Sequence, residues 1–473
     1  MKLTFWGAAR QVTGSMYLLE LASDYRILID CGADMEREEV PSTMLPYRSV
    51  FPFEPSMVNL VLLTHAHIDH SGNLPNLVRD GYEGQILCTA PTMALSELLL
   101  HDAAALNRRR LNKIHGGKRR KHNKPKIDTT GMYLESHVKE TMERFVTLAF
   151  HQRFRVSPQL AVTFIPAGHL LGAAHILLEI TENGETKTLA FSGDLGRKNY
   201  PLLVDPEPLP EVDYLVCEST YGNRRHQATQ SPETIMADVI KRTCVDMPGR
   251  LIIPAFSIGR TQALLYTLNQ LNAQRGFPSI PVFADSPLAL RSTRVYERFT
   301  RQLNQEAQEF HEDYEELFDF SNLHYVEDLK RSRAISNYLE PSIIISSSGM
   351  VSGGRVEQHI QVNLGNPYCT ILMIGYAAEG TIGHQLVRGD KQIKMGKQEL
   401  TVQAHIETTD VFSGHGDLDD LLDFVKHQKP DRLKKVFLSH GEYPDAMENF
   451  RSELQQLGYD NVEIPAKGQS FQL

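Results

Sequence analysis

Long apolar runs are missing from this chain. No stretch of about 18 or more apolar residues occurs, which excludes an ordinary membrane-spanning helix. Met1-Lys2-Leu3-Thr4-Phe5-Trp6-Gly7 is too short and too soon interrupted to be a secretory leader, and it reads as a first strand. Cysteine is scarce: five residues, at positions 31, 88, 217, 244 and 369, with no C-x-x-C pair. An odd, scattered set argues for buried thiols in a reducing compartment, so a cytoplasmic protein without a membrane partner is expected. Internal repeats are also lacking, as are low-complexity tracts outside one basic stretch.

What is present bounds the class. At 473 residues the chain is long enough for two to three domains, and 41% hydrophobic content suffices for a sizeable core. The net charge of -9 is unevenly spread. Asn107 to Lys126 carries ten Lys or Arg and no Asp or Glu, which leaves about -19 on the rest. Arg108-Arg109-Arg110 and Lys118-Arg119-Arg120-Lys121 are either a solvated excursion or a contact for a polyanion. Gly116-Gly117 favours a flexible loop over a continuous helix, with the preceding helix ending near Leu106.

The densest chemistry is Thr64-His65-Ala66-His67-Ile68-Asp69-His70, directly after the strand-like run Leu60-Val61-Leu62-Leu63. Four metal-type side chains within six residues would be costly to bury without compensation. Imidazole and carboxylate are the donors of catalytic zinc sites, which keep one position open. Further fragments stand at strand ends: Pro166-Ala167-Gly168-His169, Phe191-Ser192-Gly193-Asp194 and Ser439-His440-Gly441. Leu28-Ile29-Asp30 places a carboxylate suited to orient a ligand by hydrogen bonding. From Tyr214 onward strands alternate with loops and helices, which is α/β character. Leu251 to Phe256 leads through Ser257-Ile258-Gly259-Arg260 into a helix, and Ser342 to Ile345 precedes Ser346-Ser347-Ser348-Gly349.

The order His65-x-His67-x-Asp69-His70, His169, Asp194, His440 resembles the metallo-β-lactamase fold. Glu218-Ser219-Thr220-Tyr221-Gly222, Phe412-Ser413-Gly414-His415-Gly416-Asp417 and Ser439-His440-Gly441-Glu442 resemble the three signature motifs of the beta-CASP nucleases. The resemblance spans nearly the whole chain. It implies an α/β protein, an αββα metallo-β-lactamase sandwich with an inserted α/β beta-CASP domain. No metal-site motif falls between Glu218 and His415, so the insert is placed at 222–394, with the sandwich formed by 1–221 and 395–473. Leu400 to Thr409 is expected to return to the first domain as a strand.

The resemblance also implies roles. One metal would be held by His65, His67, His169 and Asp194. The other would be held by Asp69, His70, Asp194 and His440, with Asp194 bridging and Asp30 hydrogen-bonding into the ligand set. Asp69, Glu218 and His415 would form the catalytic apparatus, His415 giving a proton to the leaving oxygen while Glu218 orients it. Two Zn²⁺ per monomer are expected, and mixed N and O ligands also accept Mn²⁺. In the insert, Ser257, Arg260, Ser348 and Gly349 would hold the nucleic-acid backbone, with Arg355 adding charge. Relatives often carry Arg where this chain has His384, so that contact would be neutral or pH-responsive.

The expected activity is hydrolysis of RNA phosphodiester bonds in RNA processing or decay. Endonucleolytic cleavage is expected, and 5′–3′ exonucleolytic trimming stays open. RNA is favoured over DNA because the third motif carries His440, where DNA-repair members of the family usually carry Val. RNA is thus the expected partner, together with a homodimer as in many relatives. The alternatives are a small-molecule hydrolase of the same superfamily and a non-catalytic RNA-binding subunit.

Overall fold

The computed structural model describes residues 1–34, 50–115, 129–227, 230–274 and 276–473. The chain forms two compact units. One comprises 1–198, 205–225 and 415–473; the other comprises 199–204 and 226–414.

The first unit is built from two seven-stranded sheets. One runs in the order Ser470–Gln472, Lys2–Gly7, Met16–Glu20, Arg26–Ile29, Leu60–Leu62, Gln85–Cys88, Phe145–Thr147. The other runs Val462–Glu463, Lys435–Ser439, Tyr214–Glu218, Glu185–Phe191, Ala174–Glu182, Leu160–Pro166, Phe154–Ser157. Successive strand residues point to opposite faces, and here both faces are apolar. Leu3, Phe5, Leu19, Ile27, Ile29 and Leu62 face Phe164, Ile176, Leu178, Phe191, Val216 and Phe437 in the core between the sheets. Their alternates Leu18, Leu28, Val61 and Ile86 pack outward with Leu74, Leu77 and Val78 of helix Leu74–Arg79. On the other outer face Leu215, Cys217, Val436 and Leu438 meet helices Leu418–Lys426 and Asp445–Gln456. Double-sided burial explains why these strands read as unbroken hydrophobic runs. It also fixes the layer order, helices outside and two sheets within.

One core residue ties this packing to pH. His175, in strand Ala174–Glu182, is fully buried. Its Nδ1–H donates to Ser192 O at 2.5 Å, its Nε2 has no hydrogen-bond partner, and its ring lies 4.7 Å from Phe424. Burial pushes its pKa down to about 4. Below about 6.5 the unfolded chain therefore takes up a proton that the folded chain refuses until about pH 4, so stability falls as pH drops through that window. The loss amounts to roughly 3 kcal/mol at its acid end. His175→Leu should remove this slope. Urea unfolding of both proteins from pH 7 to 4 tests it, and a difference in stability that stays constant with pH would contradict it.

The second unit contains a six-stranded, all-parallel sheet in the order Leu323–Tyr325, Val282–Asp285, Ser342–Ser346, Arg250–Pro254, Cys369–Met373, His405–Thr408. The expected boundary at 394/395 needs correction. Strand His405–Thr408 does not return to the first unit: it pairs in parallel with Cys369–Met373, Thr370 opposite His405 and Met373 opposite Thr408. The chain rejoins the first unit at His415, and it leaves it after Arg225 rather than at 221. Among the described residues no helix is long and apolar enough to cross a membrane.

The helix expected to end near Leu106 runs from Ala90 to His115. Apolar periodicity ends near Leu106, but the good helix formers Arg, Leu and Lys carry the helix on to His115. Arg108, Arg109 and Arg110 are thus exposed helical side chains rather than loop residues, and Arg108 pairs with Glu135 at 3.1 Å. Lys118-Arg119-Arg120-Lys121 lies outside the described residues.

Candidate metal centre and active site

Four strand ends of the first unit deliver the metal-type side chains. Beyond Leu60–Leu62 the chain turns through Thr64–His67 into the short helix Ile68–Ser71. His65 Nε2 and His67 Nδ1 come within 3.1 Å, and His169 Nε2, after strand Leu160–Pro166, lies 3.2 Å from His67 Nδ1. Asp194, after strand Glu185–Phe191, turns Oδ2 toward His65 and His169, 3.5 Å from each Nε2. Its Oδ1 faces the other way, 3.2 Å from His70 Nε2 and 3.7 Å from His440 Nε2. His440 follows strand Lys435–Ser439, and its Nε2 is 3.5 Å from Asp69 Oδ2. Two groups result, His65–His67–His169–Asp194 and Asp69–His70–His440, each with its donor atoms within 4.8 Å of one another. Asp194 looks into both.

These residues fit metal ions. Asp194 Oδ1 and His440 Nε2 are buried without a hydrogen-bond partner. Leaving such atoms unsatisfied is expensive, and a cation at each group would satisfy them. The hydrogen bonds behind the rings also assign tautomers. Thr64 Oγ1 donates to Asp30 and accepts from His65 Nδ1 at 3.1 Å. His70 Nδ1 donates to Asp30 Oδ2 at 2.7 Å. Thr220 Oγ1 accepts from His440 Nδ1 at 3.0 Å and donates to His440 O at 3.1 Å. In the neutral ring each arrangement puts the proton on Nδ1 and so directs the Nε2 lone pair inward, the form a metal requires. Asp30 accepts from Thr64 and from His70 and so holds rings rather than reaching inward. Thr64 and Thr220 share that task and were not foreseen, because nothing in the spacing shows which hydroxyl meets which ring.

The electrostatics suit a cation. Burial holds His65 far below the ordinary histidine range and His67 at about 4, so both rings are neutral, the form in which imidazole can bind a metal. Burial opposes charge on His70 and His440 as well, yet the nearby carboxylates, Asp194 foremost, raise both. Asp194 is held well below the carboxylate range: burial works against its charge, and His440 and His70 outweigh it. Asp30 and His440 both adopt left-handed backbone, at φ 56° and 51°. Non-glycine residues accept this only where their surroundings over-determine it, as functional sites do.

Beside this cluster stands a second pair. Glu218, at the end of strand Tyr214–Glu218, is buried. Its Oε1 accepts Leu195 N at 2.5 Å and His415 Nδ1 at 3.2 Å, and its Oε2 accepts Thr220 N at 3.2 Å. Three donors lock the carboxylate, which in turn locks the imidazole. The His415 ring lies 4.4 Å from that of His169 and retains 17% side-chain exposure. Every metal, catalytic and orienting residue named from sequence thus converges in one unit.

Known proteins are similar to this chain along most of its length. The Metallo-beta-lactamase superfamily matches residues 9–236, the Beta-Casp domain 261–386, and the Zn-dependent metallo-hydrolase RNA specificity domain 399–465. Ribonuclease TTHA0252 of Thermus thermophilus is 32% identical over 442 residues, covering 93% of both chains. The chain belongs to the beta-CASP ribonucleases of the metallo-β-lactamase superfamily. This beta-CASP chain is also similar to the RNase J-like protein of Methanocaldococcus jannaschii, 28% identical over 93% of this chain and 92% of that one. The transcription termination factor FttA of Methanosarcina mazei is 29% identical over 93% of this chain and 67% of its own.

The residues expected to hold substrate lie in the beta-CASP unit, at the carboxyl ends of its parallel strands. Open α/β sheets bind ligands there. Ser257 Oγ meets Ser347 Oγ at 2.8 Å and Ser286 Oγ at 3.2 Å, so three adjacent strand ends bring three hydroxyls together. Arg260 lays its guanidinium over Phe256, 5.0 Å from the ring centre, in the space that a side chain on Gly375 would fill. Gly349 packs on Phe256, where an added Cβ would lie 3.2 Å away. Ser348 does not join the hydroxyl cluster: it donates to Ser352 O and accepts Ser352 N, closing its own turn. His384 Nδ1 lies 3.3 Å from Ala377 O, beside Thr381, whose hydroxyl caps helix Ile382–Arg388. Arg355 is tied to Asp285 Oδ1 at 2.6 Å and to the carbonyls of Val326 and Glu327. Its charge serves the fold rather than a ligand. Ser286 and Ser347 could have been found only by seeing that three serines end neighbouring strands.

Proposed function

We propose that this beta-CASP protein is a metal-dependent ribonuclease that hydrolyses RNA phosphodiester bonds. The observation that carries the reading is the Glu218–His415 pair set against a double His/Asp cluster in which Asp194 offers one oxygen to each group. His65, His67, His169 and Asp194 would hold one Zn²⁺, and Asp69, His70, His440 and Asp194 the other. When bound, the two ions would lower the pKa of a shared water and neutralise charge on the phosphate oxygens. His415 would deliver a proton to the leaving oxygen. Glu218 fixes its Nδ1–H, so the delivered proton leaves from Nε2. The hydroxyls of Ser257, Ser286 and Ser347, the backbone at Gly349, and Arg260 would take the phosphates of the bound strand, with His384 at the edge of that surface. The names of the relatives support RNA as the substrate.

The direct test is elemental analysis of protein purified without chelator, with about two metals per chain expected. One metal or none in a folded, undepleted sample would contradict the double site. A further expectation concerns helix Ala90–His115. If Arg108, Arg109 and Arg110 touch RNA, changing them to Gln should reduce the log–log salt slope of binding by about 0.7 for each phosphate that is no longer neutralised. Titrations at several salt concentrations decide, and an unchanged slope would mark these side chains as surface only.

A further inference from the structure

The loop Gly7–Ser15 and the segment after His440 share one wall of the first unit. Ala8 O accepts His440 N at 2.8 Å, and Gln11 O accepts Gly441 N at 3.3 Å. On this wall Arg10 lays its guanidinium over the Tyr443 ring, 4.7 Å from its centre. Arg10 Nη2 also donates to Ile464 O at 3.3 Å, which holds the plane in place. Both side chains are exposed, Tyr443 to 44%. Arg10 has φ 62° and Ala8 φ 48°, left-handed values that non-glycine residues rarely adopt. The backbone therefore bears strain at the residue that brings a flat cation onto an aromatic ring, three positions from His440.

We propose that Arg10 and Tyr443 form a stacking platform for one base of single-stranded RNA next to the scissile phosphate. This rests on the ribonuclease reading above. Aromatic rings and guanidinium planes accept the π-face of any base, so the platform positions the strand without selecting its sequence. The positive charge of Arg10 also suits the adjoining phosphate. The stacking faces of the two side chains carry no pattern of donors and acceptors that would distinguish bases, so purines should be preferred only for their larger stacking surface.

The test uses the full chain loaded with zinc, a short labelled RNA with one mapped cleavage site, and copies of that RNA with an abasic ribose at each nucleotide flanking the site. Tyr443→Ala is expected to raise KM for the intact RNA roughly 5- to 100-fold, the range of one base–aromatic stack. Tyr443→Phe should stay within about twofold of the original protein, because the stacking face survives. An abasic ribose at one flanking position should raise the KM of the unaltered protein by a similar factor and leave that of Tyr443→Ala unmoved. Metal content, measured on every variant, should stay constant and so separates stacking from damage to the His440 loop. An unchanged KM in Tyr443→Ala, or equal penalties on intact and abasic RNA, would overturn the platform alone. A zinc-loaded parent protein that leaves RNA intact would overturn the ribonuclease reading and the platform with it.

Discussion

His415→Ala is expected to keep its full metal content and to lose about 10²–10⁴-fold in the rate of RNA cleavage, the contribution typical of a positioned general acid. The geometry separates this residue from the two metal-type groups. Its Nδ1 is committed to Glu218 at 3.2 Å, and neither metal-type group includes it. Metal analysis and cleavage rates on the same preparation check both points. Loss of a metal on this substitution, or an unchanged rate, would remove His415 from the role given to it.

Asp194→Asn should be more damaging. Each oxygen of this carboxylate faces a different group, and under the proposed reading its charge would draw a cation to each. The amide keeps the size and removes the charge, so metal content should fall to one per chain or fewer and cleavage below detection. His440→Ala touches only the Asp69–His70 group and should loosen a single metal. Retention of two metals by Asp194→Asn would contradict the bridging role.

The contrast between these variants shows how much the amino-acid order reveals. Four metal-type side chains sit in one short string because the turn after a strand and the first turn of helix Ile68–Ser71 present them together, so spacing alone displays them. His169, Asp194 and His440 are single residues after strands, and only their order beside that string, as in the beta-CASP nucleases, marks them. Thr64 and Thr220 stayed hidden because a hydroxyl's partner is decided by tertiary packing: Thr220 reaches a histidine 220 positions away. The carboxyl-terminal boundary was misplaced for a related reason. A four-residue strand such as His405–Thr408 does not encode which sheet it joins, and it adds to the edge of the parallel sheet beside Cys369–Met373. Arg355 offers a cation in the sequence, but Asp285, fixed at a neighbouring strand end, claims it.

Incubation of the zinc-loaded protein with labelled RNA and with DNA of the same sequence, followed by mapping of the products, reaches the central claim most directly. The expected result is metal-dependent cleavage of the RNA, abolished by chelator and restored by zinc, with the DNA cut far more slowly. Intact RNA under these conditions, or equal cleavage of both strands, would contradict it.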